Sequence, residues 1–126
     1  MADSVTLSFR ADTRNVGLAR TVAAAMSARA DLPLDQLEDV RLAVDEAVAQ
    51  LIVDAPKTAQ ITCVFTIVDA ELDITVTAPT VTGATPATDT FSWTVLTALV
   101  DSVTAAIESD VVTLSLHVVR QIPVDA

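Results

Sequence analysis

The chain has 126 residues, which is enough for one hydrophobic core and too short for two, so we predict a single domain over residues 1–126. Hydrophobic residues make up 52% of the chain, a share that argues against disorder. A formal net charge of -10, with only 7 Lys and Arg residues, argues against binding nucleic acid through its phosphates and favours a partner with basic patches.

The N-terminal sequence and the cysteine content indicate where the protein works. MADSVTLSFRADTR has neither a basic start nor an apolar run, so it does not look like a signal peptide. Cys63 is the only cysteine, which rules out an internal disulfide and fits a reducing compartment. No apolar stretch reaches membrane-spanning length. We therefore expect a cytoplasmic protein without a membrane segment.

The first elements in chain order are predicted to be a strand and a helix. Residues 4–10, SVTLSFR, alternate between apolar and polar side chains, which is typical of a strand with one buried face. Asp12 or Thr13 then offers an N-cap, and apolar residues recur at helical spacing over 16–26.

A second helix is predicted to follow the DLPLDQ segment. Asp35 and Glu38 resemble a capping box, and the helix should run to about Val53, because Pro56 cannot extend it. Its buried stripe is predicted to be Leu37, Val40, Ala43, Val44, Ala47, Val48 and Leu51.

The second half of the chain predicts two hairpins separated by a helix. Residues 61–67 and 72–78 alternate and form the first hairpin, and the small and turn-forming residues of 79–89 predict a mobile loop. The apolar spacing of Trp93, Leu96, Val100 and Val103, after a cap at Asp89 or Thr90, predicts the third helix, and VTAAIE and VVTLSLHVVR predict the closing hairpin.

Strands with one polar face and helices with one apolar stripe bury their apolar sides together. The fold class predicted from this pattern is α/β, a two-layer sandwich with helices on one face of a mostly antiparallel sheet.

Two segments of this pattern carry a resemblance to a known family. VRLAVDEAVAQLI at 40–52 and FSWTVLTALVDSV at 91–103, in this order, resemble bacterial anti-sigma factors of the RsbW and SpoIIAB type, and most of all UsfX-like RsbW proteins. These belong to the GHKL superfamily of histidine kinase-like ATPases, and the resemblance extends from about Val5 to Arg120. It implies an α/β sandwich of the GHKL type.

The resemblance implies roles for two residues of the second helix. Active kinases of the family carry there a Glu that accepts the proton of a serine hydroxyl and, four residues later, an Asn that holds Mg²⁺ on the phosphates. Glu46 matches the first position, and the longer Gln50 occupies the second. The residues alone also allow a plainer interpretation, in which Asp45, Glu46 and Gln50 form the wet edge of an amphipathic helix.

The nucleotide motifs of the family are degenerate in this chain. The resemblance implies an Asp-x-Gly-x-Gly motif after the third strand and a Gly-rich turn before the last helix, but the chain has only 2 glycines, Gly17 and Gly83. Ala78 or a neighbour stands where the adenine-binding Asp belongs, which leaves Gly83 as a weak nucleotide-binding candidate. We therefore expect no cofactor, or ATP and Mg²⁺ if the degenerate site still binds.

Partner binding is implied by an arginine of the first helix. In the family an Arg within a segment like GLARTVAAAM helps to grip the sigma factor, and Arg20 matches it here. From the residues alone, the favoured interpretation of Arg20 is a plain exposed helix charge.

Other reactive side chains have plain interpretations. His117 is predicted to lie on the solvated face of the last strand without a metal, and Cys63 to be a small buried hydrophobe. Phe91 and Trp93 are predicted to anchor the third helix in the core, and Ser92 has no base beside it in the sequence.

The resemblance implies an anti-sigma factor that sequesters an RNA polymerase sigma factor and is released by an anti-anti-sigma factor of the STAS type. It also implies a homodimer formed through the sheet edge and the first helix region. The alternative is an active serine kinase that uses Glu46 as base to phosphorylate the anti-anti-sigma factor. A third hypothesis is a regulator with no sigma partner.

Overall fold

Strands and helices follow one another in the order βααββαββ over residues 3–121, the part of the chain that the computed structural model describes. Residues 1, 2 and 122–126 of the predicted domain lie outside it. The elements are β1 (Asp3–Arg10), a 3₁₀ helix (Thr13–Asn15), α1 (Val16–Arg29), α2 (Leu34–Asp54), β2 (Gln60–Val68), β3 (Glu71–Pro79), α3 (Phe91–Leu99), β4 (Ser102–Glu108) and β5 (Val111–Val119).

The strands form an antiparallel sheet in the order β1-β2-β3-β5-β4. The last hairpin inserts its second strand, β5, beside β3, so β4 becomes an edge strand. The register aligns inward side chains in rows across the sheet. One such row consists of Leu7, Cys63, Val76, Leu114 and Ala105.

The helices cover one face of this sheet and the core lies between the two layers. The α2 stripe is almost as predicted, since Val40, Val44 and Val48 are fully buried. The opposite face carries short polar side chains such as Thr75, Thr77 and Ser115. The predicted two-layer α/β sandwich is confirmed, and no helix within residues 3–121 is long and apolar enough to cross a membrane.

The start of α2 differs from the predicted capping box. The helix begins at Leu34, and its N-cap is Pro33, which makes no side-chain capping hydrogen bond. Glu38 instead binds the guanidinium of Arg41, at 2.9 and 3.0 Å from Nη1. The prediction was wrong because Asp35 already lies inside the first helical turn, where its side chain cannot act as the N-cap.

Leu37 at the start of the predicted buried stripe is only half-buried, and its neighbour Gln36 is buried instead. The Gln36 amide donates to the carbonyl of Val119 at 2.6 Å and accepts from the backbone N–H of Gln121 at 3.0 Å. These hydrogen bonds replace those that the Gln36 amide would make with water, so the side chain can be buried against the end of β5.

The third helix is shorter than predicted. It ends at Leu99, Val100 is extended, and Val103 lies in β4, where it pairs with Leu116. Val100 is buried and Val103 packs partly against the core from the strand, so both residues extended the apolar pattern past the true end of the helix. The helix ends early because the chain from Ser102 onward pairs with β5 as strand β4.

The predicted caps are partly confirmed. Thr90 caps α3, since its hydroxyl accepts from the backbone N–H of Trp93 at 3.1 Å. Asp12 caps the 3₁₀ helix that leads into α1, with a bond of 2.9 Å from the Arg14 N–H. Trp93 packs against the core as predicted, but Phe91 is 83% exposed, so its prediction as a core anchor was wrong.

Candidate functional site between helices α2 and α3

Glu46 and Gln50 lie one turn apart on α2 and both meet the first turn of α3. The Ser92 hydroxyl donates a hydrogen bond to Glu46 Oε1, and Gln50 Nε2 donates to Ser92 Oγ at 2.6 Å. The three side chains are partly buried. The structure therefore joins the two predicted site residues to a third that the sequence left without a role.

Ser92 was missed because its partners are 46 and 42 residues away in the chain. One signal was available. Ser92 lies four residues before Leu96, so it shares the buried face of α3, and Leu96 is fully buried.

Asp54, at the last residue of α2, forms a second polar cluster with the loop that follows β3. Its carboxylate accepts from the hydroxyls of Thr80 and Thr82, the latter at 2.7 Å, and from the Thr82 N–H at 3.2 Å. The backbone N–H of Val81 also donates to the Asp54 carbonyl at 2.8 Å. Hydrogen bonds from Thr80 and then Thr82 hold the pKa of Asp54 below its ordinary value.

Gly83 belongs to this second cluster. Its N–H donates to the Thr80 hydroxyl at 3.2 Å, and its φ of 74° is left-handed, a conformation that favours glycine. An added Cβ would lie 3.4 Å from Asp110 Oδ1. Gly83 therefore serves a turn, and its N–H is engaged inside the protein.

A cavity of about 90 Å³ lies between the two clusters, lined among others by Gln50, Asp54, Ala78 and Thr80. A wider opening of about 240 Å³ beside it is lined by Gln50, Val53, Pro86, Ala87, Thr90 and Ser92. Pockets for small ligands and cofactors usually enclose about 300–1,000 Å³. Taken separately, each of the two spaces has a volume below this range.

The donor groups also fail to match a magnesium nucleotide. β3 ends in Ala78 and Pro79, whose side chains cannot hydrogen-bond an adenine. Gln50 Oε1 is buried without a hydrogen-bond partner among residues 3–121, but Glu46 and Asp54 are already engaged. One free amide oxygen is a poor site for Mg²⁺, which requires octahedral oxygen coordination.

Arg20, the predicted partner-binding residue, lies on α1 and pairs with Asp45 of α2. Arg20 Nη1 is 3.4 Å from Asp45 Oδ2, and the Arg20 side chain is 42% exposed. Asp45 Oδ1 is buried with no hydrogen-bond partner within residues 3–121. A Cβ on Gly17 would approach Arg20 Nη2 to 3.3 Å, so the glycine leaves room for the guanidinium. Arg20 makes no hydrogen bond or ion pair with Glu46, Gln50 or the described part of the loop.

His117 lies on the open face of the sheet, as predicted. Its Nδ1 is 2.5 Å from Asp73 Oδ1 and its Nε2 is 3.6 Å from Glu71 Oε1. The hydrogen bond with Asp73 is the largest effect and raises the pKa of His117. Burial, the next largest effect, opposes this rise, and the charges of Asp73, Glu71 and Asp101 add to it. Across residues 3–121, no group of three or more His, Cys, Asp or Glu side chains is arranged to hold a metal ion.

The family follows from a sequence match that covers most of this architecture. The model of the histidine kinase-like ATPase domain matches residues 9–115, which include α1, α2 and the Glu46–Ser92 contact. The chain belongs to the histidine kinase-like ATPase domain family. The predicted membership and the predicted GHKL fold are thereby confirmed.

Two proteins from Mycobacterium tuberculosis, strains CDC 1551 and H37Rv, are similar to the chain in sequence. Both are named anti-sigma-F factor RsbW and are 37% identical over 100 residues, which are 79% of this chain and 60% of each relative. The chain thus spans less than two thirds of their length.

A solved structure shares the fold. The crystal structure of the RsbU and RsbW domains of Rv1364c from Mycobacterium tuberculosis superposes with a TM-score of 0.77 at 13% identity. The match covers 96% of this chain and 33% of that chain. Nearly all of the described architecture therefore recurs inside a larger protein.

Proposed function

We propose that this chain is an anti-sigma factor that sequesters an RNA polymerase sigma factor and is released by an anti-anti-sigma factor of the STAS type. The observation that carries the proposal is the 37% identity over 100 residues to proteins named anti-sigma-F factor RsbW. The net charge of -10 supports it, because an acidic surface attracts a partner with basic patches.

The partner surface includes Arg20 on the outer side of α1 and α2. The pair with Asp45 fixes the guanidinium while 42% of the side chain stays exposed, so its remaining N–H groups are available to a carboxylate of the partner. The same two helices expose Leu18 and Leu42, at 52% and 54%. An arginine held by an ion pair, on helices that also expose apolar side chains, is a favourable component of a protein interface.

ATP binding is impaired in this account. The support is the small cavity, the hydrogen bonds that already occupy Glu46 and Asp54, and a β3 end without an adenine-binding side chain. Sigma binding then depends on protein contacts rather than on a nucleotide.

The proposal also includes a cytoplasmic homodimer that binds neither nucleic acid nor membrane. β1 is an edge strand, paired only with β2 among the described strands, so its outer side can meet a second copy. Arg29 of α1 binds Asp3 of this edge strand at 3.1 Å, which ties the first helix to the same region.

The test is a binding measurement between the purified protein and sigma subunits recovered from a lysate of the source cell. We expect the wild type to retain a sigma subunit and Arg20→Ala to bind it at least about ten-fold more weakly, because an interface arginine contributes roughly 1–2 kcal/mol or more. Arg14→Ala, an arginine with a side chain 87% exposed that pairs with Asp12 and lies outside both proposed interfaces, is the matched control and should bind normally. Recovery of no sigma subunit by the wild type would overturn the proposal.

The serine kinase is the second candidate, favoured by one observation. Glu46 accepts a hydrogen bond from a serine hydroxyl, the contact that a base for hydroxyl attack requires. Transfer of labelled phosphate from ATP to an anti-anti-sigma factor, lost in Glu46→Gln, would support the kinase. The absence of transfer by the wild type would remove it.

A further inference from the structure

The segment from Thr80 to Ser92 is tied to α2 at both ends by side chains of the chain itself. We propose that this segment is a lid that Asp54 and Ser92 hold shut from within, so that the closed form needs no ligand. The inference goes beyond the proposed function, because it concerns the lid alone and holds whichever partner binds.

The first tie is at the C-terminal end of α2. A carboxylate there is unfavourable beside the negative end of the helix dipole unless other groups compensate it. Asp54 is compensated entirely from the segment, through two threonine hydroxyls and the Thr82 N–H, while the Val81 N–H takes the Asp54 carbonyl. Gly83 closes the turn on Thr80 at 3.2 Å. The segment thus supplies the hydrogen-bond donors that the Asp54 carboxylate and carbonyl need at the end of α2.

The second tie is at the first turn of α3. The Thr90 cap fixes the backbone of this turn, and Ser92 then bridges Glu46 and Gln50 with one donated and one accepted hydrogen bond. Hydrogen bonds to a charged group are worth more than neutral ones, so the carboxylate makes this a strong contact.

The two ties leave little room between them. Asp54 and Gln50 lie one turn apart on the same helix, and both line the cavity of about 90 Å³. A ligand larger than this cavity has to displace the threonine or the serine contacts to fit between the two ties. Ligand binding and lid closure therefore compete, and without a strong ligand the lid stays closed.

Amide hydrogen exchange on the full chain without nucleotide tests this directly. We expect the Thr82 and Gly83 amides, which donate to Asp54 and Thr80, to exchange much more slowly than an unstructured peptide. Addition of MgATP should change these rates by less than about two-fold, since a ligand that does not bind gives no protection.

Variants separate the two ties. Ser92→Ala should speed exchange at the Trp93 and Thr94 amides by about ten-fold, and Asp54→Ala should do the same at Thr82, because each loses hydrogen bonds with a carboxylate. Thr97→Ala, an exposed position of α3 bonded only to Thr94 O, is the control and should leave the Trp93 and Thr94 amides unchanged. Exchange in β3 and β5, followed in parallel, checks that the variants remain folded.

Two results would overturn the proposal. One is unprotected Thr82 and Gly83 amides in the wild type, and the other is strong protection that develops only with MgATP. Neither result bears on sigma recovery by the Arg20 surface, so failure of the lid and failure of the proposed function are distinguishable.

Discussion

Cys63 illustrates how a single residue is defined by the sheet around it. It is fully buried in β2, and burial raises the pKa of its thiol to about 12. The thiol therefore stays protonated and enclosed at neutral pH, as the alternation with Ile61 and Phe65 predicted.

A thiol-reactive dye should consequently label Cys63 in native protein at pH 8 at least about a hundred-fold more slowly than in urea-unfolded protein. The dye absorbance followed over time measures this. Equal labelling rates in the two states would contradict the buried position.

His117 links stability to pH at the residue scale. Its folded-state pKa is raised, chiefly by the hydrogen bond with Asp73 and also by the charges of Asp73, Glu71 and Asp101. The contribution to stability is therefore fully present below the unfolded value of 6.5 and is lost as pH rises through the raised folded value.

Urea unfolding between pH 5.5 and 8.5 should show a decline in the free energy of unfolding toward high pH that is smaller in His117→Gln. Ser115→Ala, on the same face of β5, should retain the full decline. A pH dependence in His117→Gln equal to that of the wild type would contradict the role of this histidine.

At the candidate site, local relations between residues could be predicted from the sequence, but contacts between distant residues could not. The helical spacing of Glu46 and Gln50 placed them on one face, because that relation is local. Their contact with Ser92 and the contact of Asp54 with Thr80 depend on how distant elements pack, and no local pattern encodes such contacts.

At the scale of the element, α3 depends on its cap. It has nine residues, too few for a helix to be stable alone, so the Thr90 cap and the burial of Leu96 hold it in place. Thr90→Ala removes the hydrogen bond to the Trp93 N–H and should lower the free energy of unfolding by about 1 kcal/mol.

Urea unfolding monitored by the fluorescence of Trp93, the only tryptophan, measures this change. Thr97→Ala in the same helix is the control and should shift stability by less than about 0.5 kcal/mol. Equal effects of the two variants would show that the cap of Thr90 contributes nothing specific.

The existence of each predicted strand and helix followed from its periodicity, and the ends were less predictable. Alternation identified β2, β3 and β5 because one face of each is buried and the other is polar. The apolar pattern ran on from α3 through Val100 to Val103, and only pairing with β5 determines where the helix gives way to a strand.

For the whole molecule, composition and pattern indicated two layers but not the strand order. The insertion of β5 between β3 and β4 is a long-range arrangement that no local pattern encodes, and it was not predicted from the sequence. The family resemblance indicated Glu46 and Gln50, whereas their contact with Ser92 forms only when α2 and α3 pack together.

The central claim is that this histidine kinase-like ATPase domain acts through protein contacts without a nucleotide. Titration of the purified protein with the proposed sigma subunit, in the absence and presence of MgATP, tests the claim most directly. The account predicts dissociation constants that agree within about two-fold, because a nucleotide that does not bind cannot be coupled to the partner. A complex that forms only with MgATP, or one that is at least about ten-fold tighter with it, would contradict the account.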